Sequence, residues 1–141
     1  MKWILLLGWE IVWAIQDFRN YRISRLFLYG AILTGAAVHI CRVLTETDTV
    51  PAMAAAVFPG ILMLALSFLT EGRLGKADGY MVLAIGLFLG WEFCTAVLAA
   101  ACLLAALYAG TGIAFGKLDR KSRICFAPFL LTGTLLIWGI C

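Results

Sequence analysis

Charged residues are scarce in this 141-residue chain: Asp, Glu, Lys and Arg together make up only 13% of it, while 64% is hydrophobic. A soluble domain usually carries about 25% charged and about 45–50% apolar residues. The composition therefore excludes an ordinary soluble fold and predicts an integral membrane protein in contact with lipid. The formal net charge of +3 is too small to indicate a nucleic-acid partner.

Residues that commonly bind metal ions are also few. The chain has one histidine, His39, and five cysteines that are scattered along it without a CxxC pair. A zinc site or a disulfide framework needs closer spacing, or a loop that holds the sulfur atoms together. We therefore expect no metal and no cofactor, and we interpret the cysteines as small apolar residues inside helices.

The hydrophobic residues fall into six runs separated by five short polar breaks. The runs cover residues 1–16, 26–44, 51–69, 79–90, 92–116 and 125–141. A spanning helix needs about 20 mostly apolar residues, and one continuous helix over residues 79–116 would be about 57 Å long, nearly twice the hydrocarbon core. We therefore predict an all-α fold: a polytopic membrane helix bundle of about six transmembrane helices, in a single domain over residues 1–141.

Small residues recur at four-residue spacing within these runs. The repeats are Ala52/Ala56/Gly60, Gly86/Gly90 and Gly112/Gly116. Because this spacing places small side chains on one helix face, it lets membrane helices approach each other closely. The pattern predicts a compact bundle.

The polar breaks alternate in charge. Residues 17–25 contain three arginines, residues 70–78 contain Arg73 and Lys76, and residues 117–123 contain four basic residues, whereas the second and fourth breaks contain none. Basic loops of membrane proteins stay in the cytoplasm. We therefore expect the first, third and fifth loops to be cytoplasmic and both termini to lie outside.

Asp17 and Asp78 lie where the first and fourth runs meet basic breaks, so the predicted topology puts them on the same side of the membrane. Two carboxylates a few ångströms apart can share a proton and activate water, one accepting a proton while the other donates one. A second interpretation is that both are ordinary loop carboxylates, paired with Arg19 and Lys76.

The residues around these aspartates resemble a known family. Residues 17–19 read Asp-Phe-Arg, four positions before Ile23, and residues 75–78 read Gly-Lys-Ala-Asp before an apolar run. Residues 126–130 read Phe-Ala-Pro-Phe-Leu at the start of the last run. In this order, the three segments resemble the motifs of the type IV prepilin peptidases, which are membrane aspartic peptidases of the GxGD type.

The resemblance implies an endopeptidase that removes the short basic leader of prepilin-like proteins at the cytoplasmic face of a bacterial or archaeal cell membrane. It implies that Asp17 and Asp78 are the catalytic pair. Gly75 and its neighbours would let the chain turn tightly enough to present Asp78. The residues expected to bind substrate or shape the site are Gly75, Lys76, Ala77 and Arg19.

The sequence also departs from the family pattern. Ser24, Ala77 and Tyr80 stand where the family usually has Pro, Gly and Lys. The large cytoplasmic loop with paired cysteines, which accompanies N-methylation in bifunctional relatives, has no counterpart in this sequence. The resemblance therefore implies a short form with peptidase activity and not a methyltransferase.

Two other ionisable residues lie within apolar runs. Glu10 is seven residues before Asp17, hence on the same helical face and about 10 Å away along the axis. At that depth it is either a functional residue or a protonated hydrogen-bond partner that faces the bundle. His39 is expected to be packed, hydrogen-bonded and far from both aspartates.

Two other functions fit the composition. A small transporter or channel could move protons or ions through its aspartates, although a carrier usually places ionisable residues at mid-membrane, often in repeated halves. A catalytically inactive subunit of a pilus or secretion assembly is also compatible with the departures at Ser24 and Tyr80. The sequence carries no signal of an oligomeric state.

Overall fold

The protein folds into six α-helices in a computed structural model, which describes residues 2–20, 22–45, 49–70, 75–118 and 124–141. The helices are α1 (Lys2–Asn20), α2 (Arg25–Leu44), α3 (Val50–Leu69), α4 (Lys76–Leu89), α5 (Trp91–Ala114) and α6 (Ala127–Ile140). The predicted all-α, six-helix fold is confirmed. The predicted ends are wrong by several residues at two places, because α1 continues through Asp17 to Asn20 and α4 begins at Lys76, before Asp78.

Three of these helices, α2, α3 and α5, are long and apolar enough to cross a membrane. Helix α6 is apolar but has only 14 residues. These lengths and compositions fit the predicted membrane protein.

Helix α4 lies at the centre of the bundle. It contacts α1, α2, α3 and α5, and nearly every side chain from Gly79 to Leu89 is buried. A helix that is apolar on all sides is buried on all sides, and here the surrounding surface is protein. Its 14 residues therefore need not match the length of a lipid-exposed span.

Gly90 separates α4 from α5. Its φ of 90° and ψ of 177° are backbone angles that only glycine adopts readily, and its N–H donates to the carbonyl oxygen of Gly86 at 2.7 Å. The predicted break between the fourth and fifth helices is confirmed, since the chain cannot continue as one helix through this residue.

The two ends of the bundle collect different helix termini. The end of α1 and the start of α6 meet at Asp17 and Ala127. At the opposite end, Trp3 packs against Phe93 at the start of α5, with ring centroids 5.5 Å apart. The described helix ends that flank the first, third and fifth breaks lie at one end of the bundle, as the alternation of charge requires. Arg73 and the basic residues from 119 to 123 lie outside the described residues, and the orientation in the membrane stays a prediction.

Helices α3 and α4 approach closely because small residues line their contact. A Cβ atom at Gly86 would fall on the carbonyl oxygen of Ala56, and one at Gly60 would overlap the backbone of Leu83. The predicted role of these positions is confirmed. The pair Gly112/Gly116 acts differently: Leu118 fills the space beside Gly112, and Gly116 follows α5 with a φ of 67°.

Replacing Gly86 by Ala should lower the thermal unfolding midpoint of the detergent-solubilised protein. The added methyl group meets a backbone carbonyl of α3, which cannot rotate away, and overpacking of this kind typically costs about 1–3 kcal/mol. Gly110→Ala is the matched control, because a Cβ atom there meets nothing within 4 Å and Ala favours the helix. If both variants unfold at the wild-type temperature, the close α3–α4 contact is wrong.

Candidate active site

The carboxylate of Asp17 lies at the N-terminus of α6. Its Oδ2 atom accepts a hydrogen bond from the N–H of Ala127 at 3.2 Å, and the N–H of Phe126 also stabilises the carboxylate. The first N–H groups of a helix have no partner within it, and the positive end of the helix dipole favours an anion. Asp17, near the end of α1, thus provides the negative charge that the first turn of α6 lacks.

Asp78 reaches the same end of the bundle from the first turn of α4. Its backbone N–H donates to the carbonyl oxygen of Gly75 at 3.1 Å, which begins the helix. Both aspartates lie at helix ends, outside the apolar runs 1–16 and 79–90. They are close enough for the negative charge of Asp17 to act on the carboxyl group of Asp78.

The surroundings of the two carboxyl groups differ. Burial raises the pKa of Asp17, but the N–H groups of Ala127 and Phe126 oppose this rise. Burial, and in addition the negative charge of Asp17, raises the pKa of Asp78. Among the described residues, N–H donors stabilise the charge of Asp17 and not that of Asp78, so a proton shared by the pair would be favoured on Asp78. One ionised and one protonated carboxyl group can together accept a proton from water and donate one to a carbonyl oxygen.

Gly75 contributes space rather than an unusual backbone conformation. Its φ of −63° is open to any residue, so the expected tight turn that needs glycine is wrong. A Cβ atom at this position would lie 2.8 Å from Oδ2 of Asp78, and a larger residue would displace that carboxylate. Ala77 lies in the first turn of α4, where the helical backbone needs no glycine.

A cavity of about 300 Å³ lies between the starts of α2 and α4, and Asp78 is not among its lining residues. Its lining is Ile23, Arg25, Leu28, Tyr29, Lys76, Ala77 and Tyr80. The rings of Tyr29 and Tyr80 meet edge to face with centroids 6.2 Å apart. The cavity is therefore mainly apolar, and two cationic side chains contribute to its walls.

The second interpretation, in which both aspartates are ordinary loop carboxylates paired with Arg19 and Lys76, does not match the surroundings of these two basic residues. The ammonium group of Lys76 lies over the ring of Phe68, 5.1 Å from its centroid. Arg19 lies in the last turn of α1 and is exposed. Asp17 is instead bound by backbone N–H groups. Of the residues predicted to bind substrate or shape the site, Gly75 lies next to the Asp78 carboxyl group, and Lys76 and Ala77 line the cavity.

Glu10 and His39 are both buried and hydrogen-bonded. The hydroxyl group of Thr134 donates to Oε1 of Glu10 at 2.7 Å, so Glu10 faces the bundle. Nδ1 of His39 lies 3.1 Å from the carbonyl oxygen of Leu87, which accepts a hydrogen bond from it. Since Leu87 is near the far end of α4, the prediction of a packed histidine remote from the aspartates is confirmed.

Two partners of Asp17 were not foreseen from the sequence. One is the backbone N–H of Ala127, and the other is the thiol of Cys125, which donates to the carbonyl oxygen of Asp17 over 3.6 Å. The Phe-Ala-Pro-Phe segment was recognised as a motif, but nothing in its residues indicates that its backbone would meet Asp17. Cys125 lies just before α6, so the interpretation of the cysteines as small apolar residues inside helices is wrong for it.

Comparison with known proteins identifies the family of the chain. The sequence model of the type IV leader peptidase family matches residues 4–110. A prepilin leader peptidase/N-methyltransferase of Bacillus subtilis (strain 168) is 26% identical over 130 residues, which cover 91% of this chain and 51% of that protein. The chain thus spans about half the length of this curated relative. No solved structure matches the chain. The chain belongs to the type IV leader peptidase family.

Proposed function

We propose that the protein is a membrane aspartic endopeptidase that removes the leader of prepilin-like proteins, with Asp17 and Asp78 as its catalytic pair. The observation that carries this proposal is the convergence of these two carboxyl groups from α1 and α4 in unequal surroundings. Membership of the leader peptidase family supports the reaction class. The printed name of the Bacillus relative supports a prepilin as the substrate.

The surroundings of the pair suggest separate roles. Ionised Asp17 accepts a proton from a water molecule, whose oxygen attacks the scissile carbonyl carbon, while protonated Asp78 donates its proton to the carbonyl oxygen. The tetrahedral intermediate then collapses: the C–N bond breaks, the amine nitrogen takes the proton from Asp17, and the diol returns one to Asp78. The pair ends with the proton it began with, ready for another cycle.

The site is proposed to face the cytoplasm, since the positive-inside rule puts the basic breaks there. A prepilin leader is itself basic, so Arg25 and Lys76 would repel it from the cavity between the starts of α2 and α4. The mainly apolar lining suits instead a side chain from the apolar segment that follows the scissile bond. This gives the substrate a direction, with the leader on the water side of the pair.

Asp17→Asn and Asp78→Asn should each abolish cleavage of a co-expressed prepilin. Asn keeps the shape of the side chain but cannot take part in the proton transfers, and loss of general acid–base catalysis typically costs about 10²–10⁴-fold in rate. The double variant should be scarcely slower than either single one, because the two residues act as a unit. Cleavage is measured by the mobility shift of the substrate on a gel.

Glu92→Gln is the control for these variants. Glu92 is an exposed carboxylate in the first turn of α5, at the opposite end of the bundle, so its removal should leave cleavage intact. Near-normal cleavage by either Asn variant would remove that aspartate from the mechanism. Normal membrane insertion with no cleavage by the wild-type protein of any prepilin from its own host would favour the inactive assembly subunit.

The rate should depend on pH as a bell. Activity is lost as the pH falls through the pKa of Asp17, which must be ionised, and as it rises through the pKa of Asp78, which must be protonated. Since both pKa values are raised, both limbs should lie above about 3.9, the ordinary value for aspartate. A kcat/KM profile with its maximum below about pH 4 would contradict these assignments.

Moving the cleavage site of the substrate one helical turn, about 5.4 Å, deeper into its apolar segment should sharply reduce cleavage. Asp17 and Asp78 lie at helix ends, so the scissile bond must reach the boundary of the bilayer in extended form. Equal processing of the shifted and natural sites would mean that the catalytic pair lies deeper, or is not this pair.

A further inference from the structure

Glu10 and Thr134 form a buried polar pair between the first and last helices. Their relative exposures are 1% and 0%, and the hydroxyl group of Thr134 donates to Oε1 of Glu10 at 2.7 Å. A carboxyl group inside a membrane bundle is costly unless it is hydrogen-bonded. The proposed cleavage reaction does not use this residue, so its presence at this position needs another explanation.

The pair repeats the contact made by Asp17. Glu10 is seven residues before Asp17 on α1, and Thr134 is seven residues after Ala127 on α6. Because the two helices run in opposite directions, the same hydrogen-bonded register produces both contacts. Seven residues are about two turns, so the two contacts are about 10 Å apart along the helix pair.

The surroundings of Glu10 make this register selective. Its other oxygen, Oε2, and the nearby donor Nε1 of Trp13 are buried with no hydrogen-bond partner among the described residues. The Thr134 hydroxyl is therefore the group that compensates the buried carboxyl. Sliding α1 along α6 by one turn would break the hydrogen bond between Thr134 and Glu10. A single buried polar residue is known to specify register in packed helices.

We propose that Glu10 and Thr134 are positioning residues that fix the axial register of α1 against α6 and thereby hold the Asp17 carboxylate on the N–H of Ala127. The expected effect on cleavage rests on the proposed catalytic role of Asp17, whereas the proposed register of the two helices does not depend on that role.

Two substitutions at position 134 separate hydrogen bonding from packing. Thr134→Val keeps the shape of the side chain and loses the hydroxyl group, whereas Thr134→Ser keeps the hydroxyl group and loses a methyl group. If the hydrogen bond sets the register, kcat should fall in the Val variant by up to about threefold, the factor that an average interhelical hydrogen bond in a membrane is worth, and stay near wild type in the Ser variant. KM should not change, because the residues that line the cavity lie at position 23, in α2 and in α4, and not in α1 or α6.

The thiol of Cys125 reports the register without any substrate. It donates to the carbonyl oxygen of Asp17, so its alkylation by N-ethylmaleimide, followed residue by residue with mass spectrometry, should be faster in Thr134→Val. The exposed Cys41, which lies in α2, is the internal reference. Its rate should be the same in every variant.

Substitutions at position 10 separate register from stability. Glu10→Gln keeps an oxygen that accepts from Thr134 and should retain most cleavage, whereas Glu10→Met should behave like Thr134→Val. The double variant Glu10→Met/Thr134→Val leaves no unpaired polar group at this contact, so its unfolding midpoint should recover towards wild type. Its kcat should stay low, and its Cys125 should still be alkylated faster than in the wild type, because no polar group at this contact sets the register.

Each other result has a definite meaning. Equal loss in the Ser and Val variants, recovery of kcat in the double variant, or an unchanged Cys125 rate in Thr134→Val would overturn the proposed register pair. Faster Cys125 alkylation with unchanged kcat would leave the register pair standing and overturn instead the catalytic role of Asp17.

Discussion

The enclosure of α4 is the constraint on which the rest of the structure depends. A short helix surrounded by four others must be approached closely, and Gly60 and Gly86 make this possible at the contact with α3. In lipid, such packing replaces the hydrophobic driving force between helices that water would supply. With α4 held at the centre, its first turn brings Asp78 to one end of the bundle, where α1 and α6 deliver the other parts of the site.

The two aspartates receive their different chemistry from backbone as much as from side chains. Asp17 meets the free N–H groups of a helix start, which stabilise its charge, whereas Asp78 is partly buried beside that charge. The same carboxylate that caps α6 is thus the one proposed to accept a proton. The hydrogen bond between Asp17 and the N–H of Ala127 therefore contributes both to the stability of α6 and to the proposed reactivity of Asp17.

Hydrophobic runs predicted the number and order of the helices, because a run long enough to span lipid needs no tertiary contact to be recognised. They could not distinguish α4 from its neighbours, since a helix facing protein on all sides is as apolar as one facing lipid. They also ended α1 too early, because polar residues such as Asp17 and Arg19 continue a helix once it has left the apolar region. The charge alternation predicted that Asp17 and Asp78 share one end, which the described helix ends bear out.

The finer parts of the site carry no sequence pattern. Backbone N–H groups such as that of Ala127 are present at every residue except proline, so only the fold shows which of them meets a carboxylate. The sequence singles out Gly75 for a turn that its φ does not require, because composition alone cannot separate a need for space from a need for an unusual backbone angle. The partner of Glu10 required knowledge of the register between helices that are far apart in the chain.

The shortness of α4 has a consequence for what sets the depth of Asp78. Fourteen residues of helix extend about 21 Å, whereas the hydrocarbon core is about 30 Å thick. A lipid-exposed helix would relieve this mismatch by thinning the bilayer around it, but α4 is surrounded by α1, α2, α3 and α5. Contacts between helices, and not a match to the thickness of the lipid, therefore hold α4 and with it the height of the Asp78 carboxyl group.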